Sequence, residues 1–571
     1  MKIRLISFIL ALITLSNTVS ADLSVWTETN TVRILRHYPA GKTFAVELSA
    51  ARNEWESFQI LMRPDMDVTV TNIIPGDLKG PEDSVISGRE SRLYRQHQFE
   101  LVDPSYRNGN FEPGWYPDAL IPFEHPLTRK PLGETRFSAV PFDLHADQTH
   151  GFWVDIFVPE NTRPGKHRGI YTAEFRGGKK IHIPVTLTVW DFTLPRASTL
   201  VTALGSPALR MRGYYRDRAE AGKETEPKDW DAVEKQVAEM VSRHRINAYP
   251  PEDSLKPVEL ADGSYRVPEE QITTLRDFID TWHVNAVRLP RATDIFNDPV
   301  NDWDRLFAWF KSYDDAIERL NRPDVLFYTY LRDEPNTEEQ YKFVQTWGRL
   351  IREAHSTVKV MVVEQTWTAP GAGGQDSAWG DLYGAVDIWC PLFSLFREEY
   401  ASKRQALGET IWTYTALCQR EPTPWWETDF PLLNYRVPSW IAWRYRIRGL
   451  LYWGGMSYWG GVEDPWTDPK TLDRRHRNPE QLYNGDGMIV YPGRAAGYDG
   501  IAPSLRLKAL RDSIEDYEYL AILERAGLEN QAQEIIMPLA GSWFTWETNP
   551  AAYKKARAEL AKLILTITKK Y

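Results

Sequence analysis

Over the first third of the chain, apolar side chains recur at every second position. The clearest case is 180–190, where Ile181, Ile183, Val185, Leu187 and Val189 alternate with polar neighbours. That period is the one a half-buried strand requires. Shorter runs at 43–48, 57–63, 151–158 and 169–175 repeat it, separated by turn residues and with almost no helical period between them. Several such strands predict a β-sandwich. Within it, Tyr116-Pro117-Asp118-Ala119-Leu120 and Arg163-Pro164-Gly165 read as loop punctuation, and 191–196 reads as a linker.

After Ser198 the period changes. Strand patterns at 201–205, 246–249, 284–289, 325–331, 358–363, 386–392, 410–415 and 449–453 now alternate with helical ones. Trp230, Val233, Val237, Met240 and His244 share one helix face, and further helices are predicted over 269–281, 303–320 and 438–447. Strands alternating with helices form parallel βα units, and eight of them match the size of a (β/α)8 barrel. A doubly wound open sheet is the competitor, but no Gly-rich nucleotide turn follows its first strand. A Gly/Pro/Asp-rich stretch leads to a helix over 505–526, with Leu507, Leu510, Ile514, Tyr517 and Ala521 inward, and a last helix covers 551–567. The predicted fold is α/β. A β-sandwich domain (22–196) precedes a TIM-like catalytic barrel (197–460), and a loop and helical extension (461–571) packs on that barrel.

Composition sharpens this picture in three places. A chain of 571 residues exceeds what one core supports. Its net charge of −10 argues against a nucleic-acid partner, which would select a basic face. Of its 23 Trp, nine fall between Trp389 and Trp466, a concentration that core-building alone does not demand. Residues 1–21 resemble a secretory signal: Lys2 and Arg4, an apolar run over 5–15, then Val19-Ser20-Ala21. The expected location is therefore secreted or periplasmic. The apolar run is too short to span a bilayer, and no later segment qualifies. With Cys390 and Cys418 alone, no disulfide framework exists, and either one bridge or two buried thiols fits. No His pair has metal-helix spacing, so no metal is implied, and no cofactor motif appears. Gly371-Ala372-Gly373-Gly374 lacks the Lys-Ser/Thr of a phosphate loop and reads as a mobile segment over the barrel mouth. No nucleophile-elbow serine is present.

The candidate chemistry lies at the ends of the predicted barrel strands, where this fold places it. The strand over 326–331 runs into Asp333-Glu334-Pro335. A helix start follows, with Thr337 and Gln340 at capping-box spacing. Neighbours on an ideal strand face opposite ways, so both carboxylates reach one pocket only if the strand has already ended. Pro335 is expected to hold Glu334 extended. The plain alternative is an acidic loop that favours the helix dipole. Other strand ends offer Glu364 and Trp367, Asp387 and Trp389, Trp412 and Tyr414, and Trp453. Acids and aromatic rings at one mouth suit a sugar, because rings stack on its C–H faces while carboxylates bind hydroxyls. For each lone aromatic, core packing is the competing explanation, above all for Trp425, Trp426, Trp440 and Trp443.

Retaining glycosidases commonly place a second carboxylate about 5–5.5 Å from the acid. The seventh strand, 410–415, has none, nor do the two residues after it; the next carboxylate beyond is Glu421. Adjacent carboxylates without a separate nucleophile fit substrate-assisted cleavage, in which a 2-acetamido oxygen attacks the anomeric carbon. For Glu334 to act as the acid near neutral pH, its neighbour Asp333 and partial burial must keep it protonated.

Several stretches resemble glycoside hydrolase family 123. They are the DEP after the fourth strand, Phe430-Pro431-Leu432-Leu433-Asn434-Tyr435, Gly449-Leu450-Leu451-Tyr452-Trp453, Asn484-Gly485-Asp486-Gly487 and Tyr491-Pro492-Gly493. The run Leu510-Arg511-Asp512-Ser513-Ile514-Glu515-Asp516-Tyr517-Glu518-Tyr519-Leu520 is the most specific, although Ser513 stands where the family usually has Gly. Ala51-Arg52-Asn53-Glu54-Trp55-Glu56 and Trp115-Tyr116-Pro117-Asp118 are similar to the family's β-sandwich domain. The resemblance implies an exo-acting, retaining β-N-acetylgalactosaminidase. Asp333 would hold the acetamido group and Glu334 would be general acid/base. Trp367, Trp389, Trp412, Tyr414, Asn434, Trp453 and Asp486 are the candidate substrate contacts, and the partner is a glycan or oligosaccharide. Two other readings stand beside it. One is a conventional two-carboxylate glycosidase with Asp387 or Glu364 as nucleophile, and the other is a carbohydrate-binding protein without catalysis.

Overall fold

The structure is a computed structural model that describes residues 22–251, 254–354, 356–367, 382–419 and 422–568. The expected leader at 1–21, the glycine run at 371–374 and Glu421 lie outside these residues. Two sheets form the N-terminal unit. The five-stranded sheet has the order Leu23–Thr29, Glu54–Pro64, His150–Val158, Ser91–Leu101, Gly114–Pro122. The second contains seven strands, with Gly165–Phe175 central, Lys180–Thr193 beside it and Val46–Arg52 parallel to Lys180–Thr193 at the edge. Ile183, Val185, Leu187 and Val189 are buried between the sheets with Phe58, Ile60, Val154 and Ile156. Tyr116-Pro117-Asp118-Ala119-Leu120, expected as a loop, is strand instead. It lies on the outermost strand of its sheet, where proline is tolerated because one edge needs no donor.

Among the described residues, the second half builds a parallel sheet of seven strands where eight were expected. Their order is Val201–Ala203, Gly449–Tyr452, Thr410–Thr415, Ile388–Trp389, Lys359–Val363, Leu326–Asp333, Ala286–Leu289. The segment at 246–249, predicted as the second strand, has no backbone ladder on either side. Asn247 does the joining there. Its N–H donates to Thr202 Oγ1 (2.7 Å), its Nδ2 to the Ala286 carbonyl (2.7 Å), and its Oδ1 accepts from Asn285 N (3.1 Å). Side-chain hydrogen bonds thus span the seam of a nearly closed barrel.

Helices Trp230–Arg243, Glu269–Trp282, Trp303–Leu320 and Glu338–Glu353 cover the sheet as their apolar stripes predict. The helix expected to begin at Pro438 begins earlier, spanning Leu433–Arg444 with Pro438 inside. Proline frees the carbonyl four residues back, and here that carbonyl, of Asn434, accepts the Trp426 indole N–H (3.0 Å).

Helix Leu505–Arg525 is buried on nearly every face, its charged residues included. Arg506 donates to Asp118 Oδ2 of the sandwich (2.9 Å), and Asn30 donates to Asp512 Oδ2 (2.6 Å). On the other side Asp516 accepts from Arg436 Nε (2.6 Å) and Trp440 Nε1 (2.9 Å). Ser513 contacts Ser439 through their hydroxyls (2.7 Å), so the family departure at this position falls in packing. This helix ties sandwich and barrel together. Among the described residues, no helix is long and apolar enough to cross a membrane.

Candidate active site

Strand Leu326–Asp333 carries the acid pair, and a β-bulge decides its geometry. Tyr330 pairs with Met361 but Arg332 pairs with Val362, leaving Leu331 as an extra residue. Below the bulge, Tyr328 and Tyr330 face the barrel interior while Phe327 and Leu331 face the helices. Unbroken alternation would turn Asp333 outward. After the bulge Arg332 faces out instead, its guanidinium 5.7 Å from the Phe343 ring centroid. Asp333 falls opposite inward-facing Val363, and its Oδ1 accepts a hydrogen bond from the Tyr330 hydroxyl (2.8 Å).

The strand therefore reaches Asp333, two residues beyond its predicted end, and Glu334 leaves it by a different device. Glu334 has φ 37°, a left-handed conformation rather than the extended one expected before Pro335. Its N–H donates to the Val363 carbonyl (3.1 Å), and its carbonyl accepts from Asn336 Nδ2 (2.8 Å). Backbone held in this region by surrounding bonds is a recurrent feature of active sites. The following helix is capped as predicted: Thr337 Oγ1 accepts from Gln340 N (3.2 Å), while Gln340 Oε1 reaches back to Asn336 N (2.6 Å). Tyr414, from strand Thr410–Thr415, donates its hydroxyl to Glu334 Oε1 in a short hydrogen bond. Both carboxylates stand exposed at the mouth, so Glu334 is not partly buried as expected.

Each carboxylate is thus held by a phenol from inside the barrel. Burial pushes the Tyr330 and Tyr414 hydroxyls well above their ordinary range, with Asp333 and Glu334 respectively adding to it. The phenols remain donors at any working pH. Cys390 and Cys418 are unbonded, one buried and one exposed. Burial first and Asp333 second push the Cys390 thiol well up. The Cys418 thiol, pushed up to about 12 by desolvation and then Glu334, lies at the same mouth.

The structure brings some predicted contacts to this mouth and removes others. Trp453 is partly exposed there; its indole N–H donates to Asp486 Oδ1 (3.0 Å), and Tyr458 flanks it at 5.4 Å between ring centroids. Trp367 is partly exposed beyond strand Lys359–Val363, tethered to the Leu395 carbonyl (2.9 Å). Trp389 instead faces the helix layer, with its N–H on Glu409 Oε2 (2.7 Å). Trp412 is fully buried in the barrel interior against Tyr328 and Gly449, so it is core. Asn434 is buried, donating to the Trp425 carbonyl (3.1 Å). Asp486 is 1% exposed and serves Trp453 and Tyr452 as an acceptor; burial raises it to about 6.

Of the spare carboxylates, Asp387 precedes its strand at the far end of the barrel. There it accepts from Val360 N (2.8 Å) and pairs with Arg352 (3.4 Å), which removes it as a nucleophile. Glu364 follows strand Lys359–Val363 and is 6% exposed. Tyr330 was missed as a site residue because its partner lies across the bulge, which leaves no trace in the apolar period. Among the described residues no group of three or more His, Cys, Asp or Glu could hold a metal.

A parallel barrel-like sheet with two phenol-held carboxylates at its C-terminal mouth, flanked by partly exposed tryptophans, is the architecture of a glycoside hydrolase. Residues 324–523 match the family described as Glycoside hydrolase 123, catalytic domain. Those residues form a glycoside hydrolase 123 catalytic domain, and the chain is a glycosidase. Its fold is similar to that of a family 123 glycoside hydrolase from Clostridium perfringens, described for glycolipid glycan hydrolysis. The TM-score is 0.64 at 12% identity, over 96% of this chain and 99% of that one. A family 39 glycoside hydrolase from Bacteroides cellulosilyticus WH2 gives a TM-score of 0.32 at 9% identity, over 74% of this chain and 77% of that one. That score is too low to bear on the site. No curated protein matches the sequence.

Proposed function

We propose that this enzyme is exported and removes a terminal N-acetylhexosamine, β-N-acetylgalactosamine, by retaining, substrate-assisted cleavage. The observation that carries the reading is the bulge at Leu331 followed by left-handed Glu334, which aims two consecutive carboxylates at one mouth. With Oδ1 of Asp333 engaged by Tyr330, Oδ2 is left to accept the acetamido N–H and orient the group. With Oε1 of Glu334 engaged by Tyr414, Oε2 carries the working proton.

In the first step the acetamido oxygen bonds to the anomeric carbon as the glycosidic C–O bond breaks, and Glu334 gives its proton to the departing oxygen. In the second step Glu334 takes a proton from water, whose oxygen attacks the same carbon and restores the acetamido group with net retention. Among the described residues, strand Thr410–Thr415 and the residues that follow it to Gln419 contain no carboxylate to act as nucleophile instead. The glycolipid glycans cleaved by the Clostridium perfringens enzyme are a natural source of such a sugar.

The deciding experiment is a panel of aryl β-glycosides with and without the 2-acetamido group. The acetamido sugars are hydrolysed and the others are not. Turnover of aryl β-galactoside at a comparable rate would establish a conventional nucleophile, and no turnover at all would leave a sugar-binding barrel.

A further inference from the structure

Strand Ala286–Leu289 alternates as a barrel wall must: Ala286 packs inward with Tyr328 and Trp412, while Val287 and Leu289 pack outward against the helices. Arg288 therefore takes an inward position, in register with Tyr328 of the neighbouring acid-bearing strand. It is exposed, its guanidinium 5.9 Å from the Tyr249 ring centroid. Among the described residues, no carboxylate pairs with it and no hydrogen bond holds it.

A second arginine repeats the pattern. Arg210, in helix Pro207–Glu220, is exposed and lies 5.2 Å from the Tyr458 ring and 5.9 Å from the Trp453 ring, again without an ion pair among the described residues. The two are joined along one rim. Tyr249 interacts with the Gly205 backbone. Gly205 abuts Gly455 so closely that a Cβ there would meet the Gly455 Cα at 2.8 Å, and Gly455 in turn abuts Arg210. This arc runs from the strand beside Asp333, across the seam at Asn247, to the last strand and Trp453.

A guanidinium presents its donors in a planar fork that matches sulfate, phosphate and carboxylate oxygens. A neutral hexosamine gives neither arginine a charged partner. The chain as a whole carries −10, so an acidic glycan needs a local cationic surface to be held at this mouth. We propose that Arg288 and Arg210 form an anion subsite, and that the preferred substrate is an acidic glycan bearing a sulfate ester or a sugar carboxylate on or next to the N-acetylhexosamine. This inference rests on the hexosaminidase reading and adds the substrate's charge to it.

The test compares three substrates: an aryl N-acetyl-β-galactosaminide, its 6-O-sulfate, and an oligosaccharide with β-N-acetylgalactosamine beside a carboxylate-bearing sugar. Each is assayed with the wild-type enzyme, Arg288→Met, Arg288→Lys and Arg210→Met. The ratio of kcat/KM for an acidic substrate to that for the neutral one should fall about tenfold or more in Arg288→Met, as expected for a lost charge-assisted hydrogen bond. It should fall less in Arg288→Lys, which keeps charge but not the fork. The acidic substrate that responds identifies the source of the anion. Should Arg288→Met fail to fold, Arg210→Met on the exposed helix carries the same comparison. Ratios within about twofold of wild type in every variant would overturn the subsite, as would a wild-type enzyme that cleaves the neutral substrate and refuses both acidic ones. Failure on all three substrates would overturn the hexosaminidase reading and this inference together.

Discussion

The hydroxyls of Tyr330 and Tyr414 decide which carboxylate oxygens are left for the substrate. Each phenol engages one oxygen of its acid from inside the barrel, so the free oxygens point to the mouth. That arrangement makes the two acids separable by experiment. Glu334→Gln removes the proton donor and should cut turnover by about 10²–10⁴-fold on an unactivated glycoside, least for an aryl substrate with a good leaving group. Asp333→Asn should lower the rate on every acetamido substrate regardless of leaving group, because it removes the acceptor that orients the attacking group. Steady-state rates across a series of aryl leaving groups check both. A Glu334→Gln enzyme with full activity on an unactivated glycoside would end the assignment. At this scale the placement of Asp333, Glu334, Tyr414 and Trp453 at the barrel mouth was legible in the sequence, because strand ends in a βα repeat are visible. Trp389 and Trp412 were not separable from them, since a tryptophan at a strand end gives no sign of the face it takes.

Among the elements, the open seam shows how local pattern and tertiary pairing diverge. The segment at 246–249 has the apolar character of a strand, yet a ladder needs partners at the right spacing. The edge strands Val201–Ala203 and Ala286–Leu289 are hydrogen-bonded to it through Asn247 and Asn285 rather than by a backbone ladder. Asn285 adds two bonds to strand one's approach, donating to the carbonyls of Ser198 (2.6 Å) and Leu200 (3.1 Å). Replacing Asn247 with Ala leaves the Ala286 carbonyl and Asn285 N–H without their partner. That change should cost about 1–3 kcal/mol of stability, read by chemical denaturation, with a larger loss of activity than a surface substitution because Arg288 and Tyr249 border the seam. The bulge at Leu331 belongs to this scale too, because one inserted residue reverses the facing of everything after it.

For the whole molecule, helix Leu505–Arg525 is the joint. Its buried carboxyls and bases contact the sandwich, the barrel and helix Pro550–Thr568, where Arg557 pairs with Asp516 (3.3 Å) and Glu56 (2.7 Å). Burial would raise Asp155, but Arg511 and Lys508 more than offset it and hold that carboxyl well below its usual range. Glu515 goes the other way. Burial, with Glu54 and Asp512 adding and Arg511 and Arg245 opposing, pushes it up to about 8 from 4.5. A carboxyl raised on folding stabilises the native state below 4.5 and loses that contribution as pH rises through about 8. The melting temperature should therefore fall across that window, and Glu515→Gln should flatten the fall. An unchanged slope in the variant would show that Glu515 is ionised in the native protein.

The amino-acid sequence alone determined the two-part architecture, the helix faces, the capped helix after the acid pair and the family. All of these depend on periods and short motifs within one segment. The tertiary structure decided the rest. It set the inward turn of Asp333, the left-handed backbone of Glu334, the seam held by Asn247 and the burial of Trp389, Trp412, Asn434 and Asp486. Each of these depends on which strand lies beside which and at what register, and such pairing between distant segments is not written in either segment by itself.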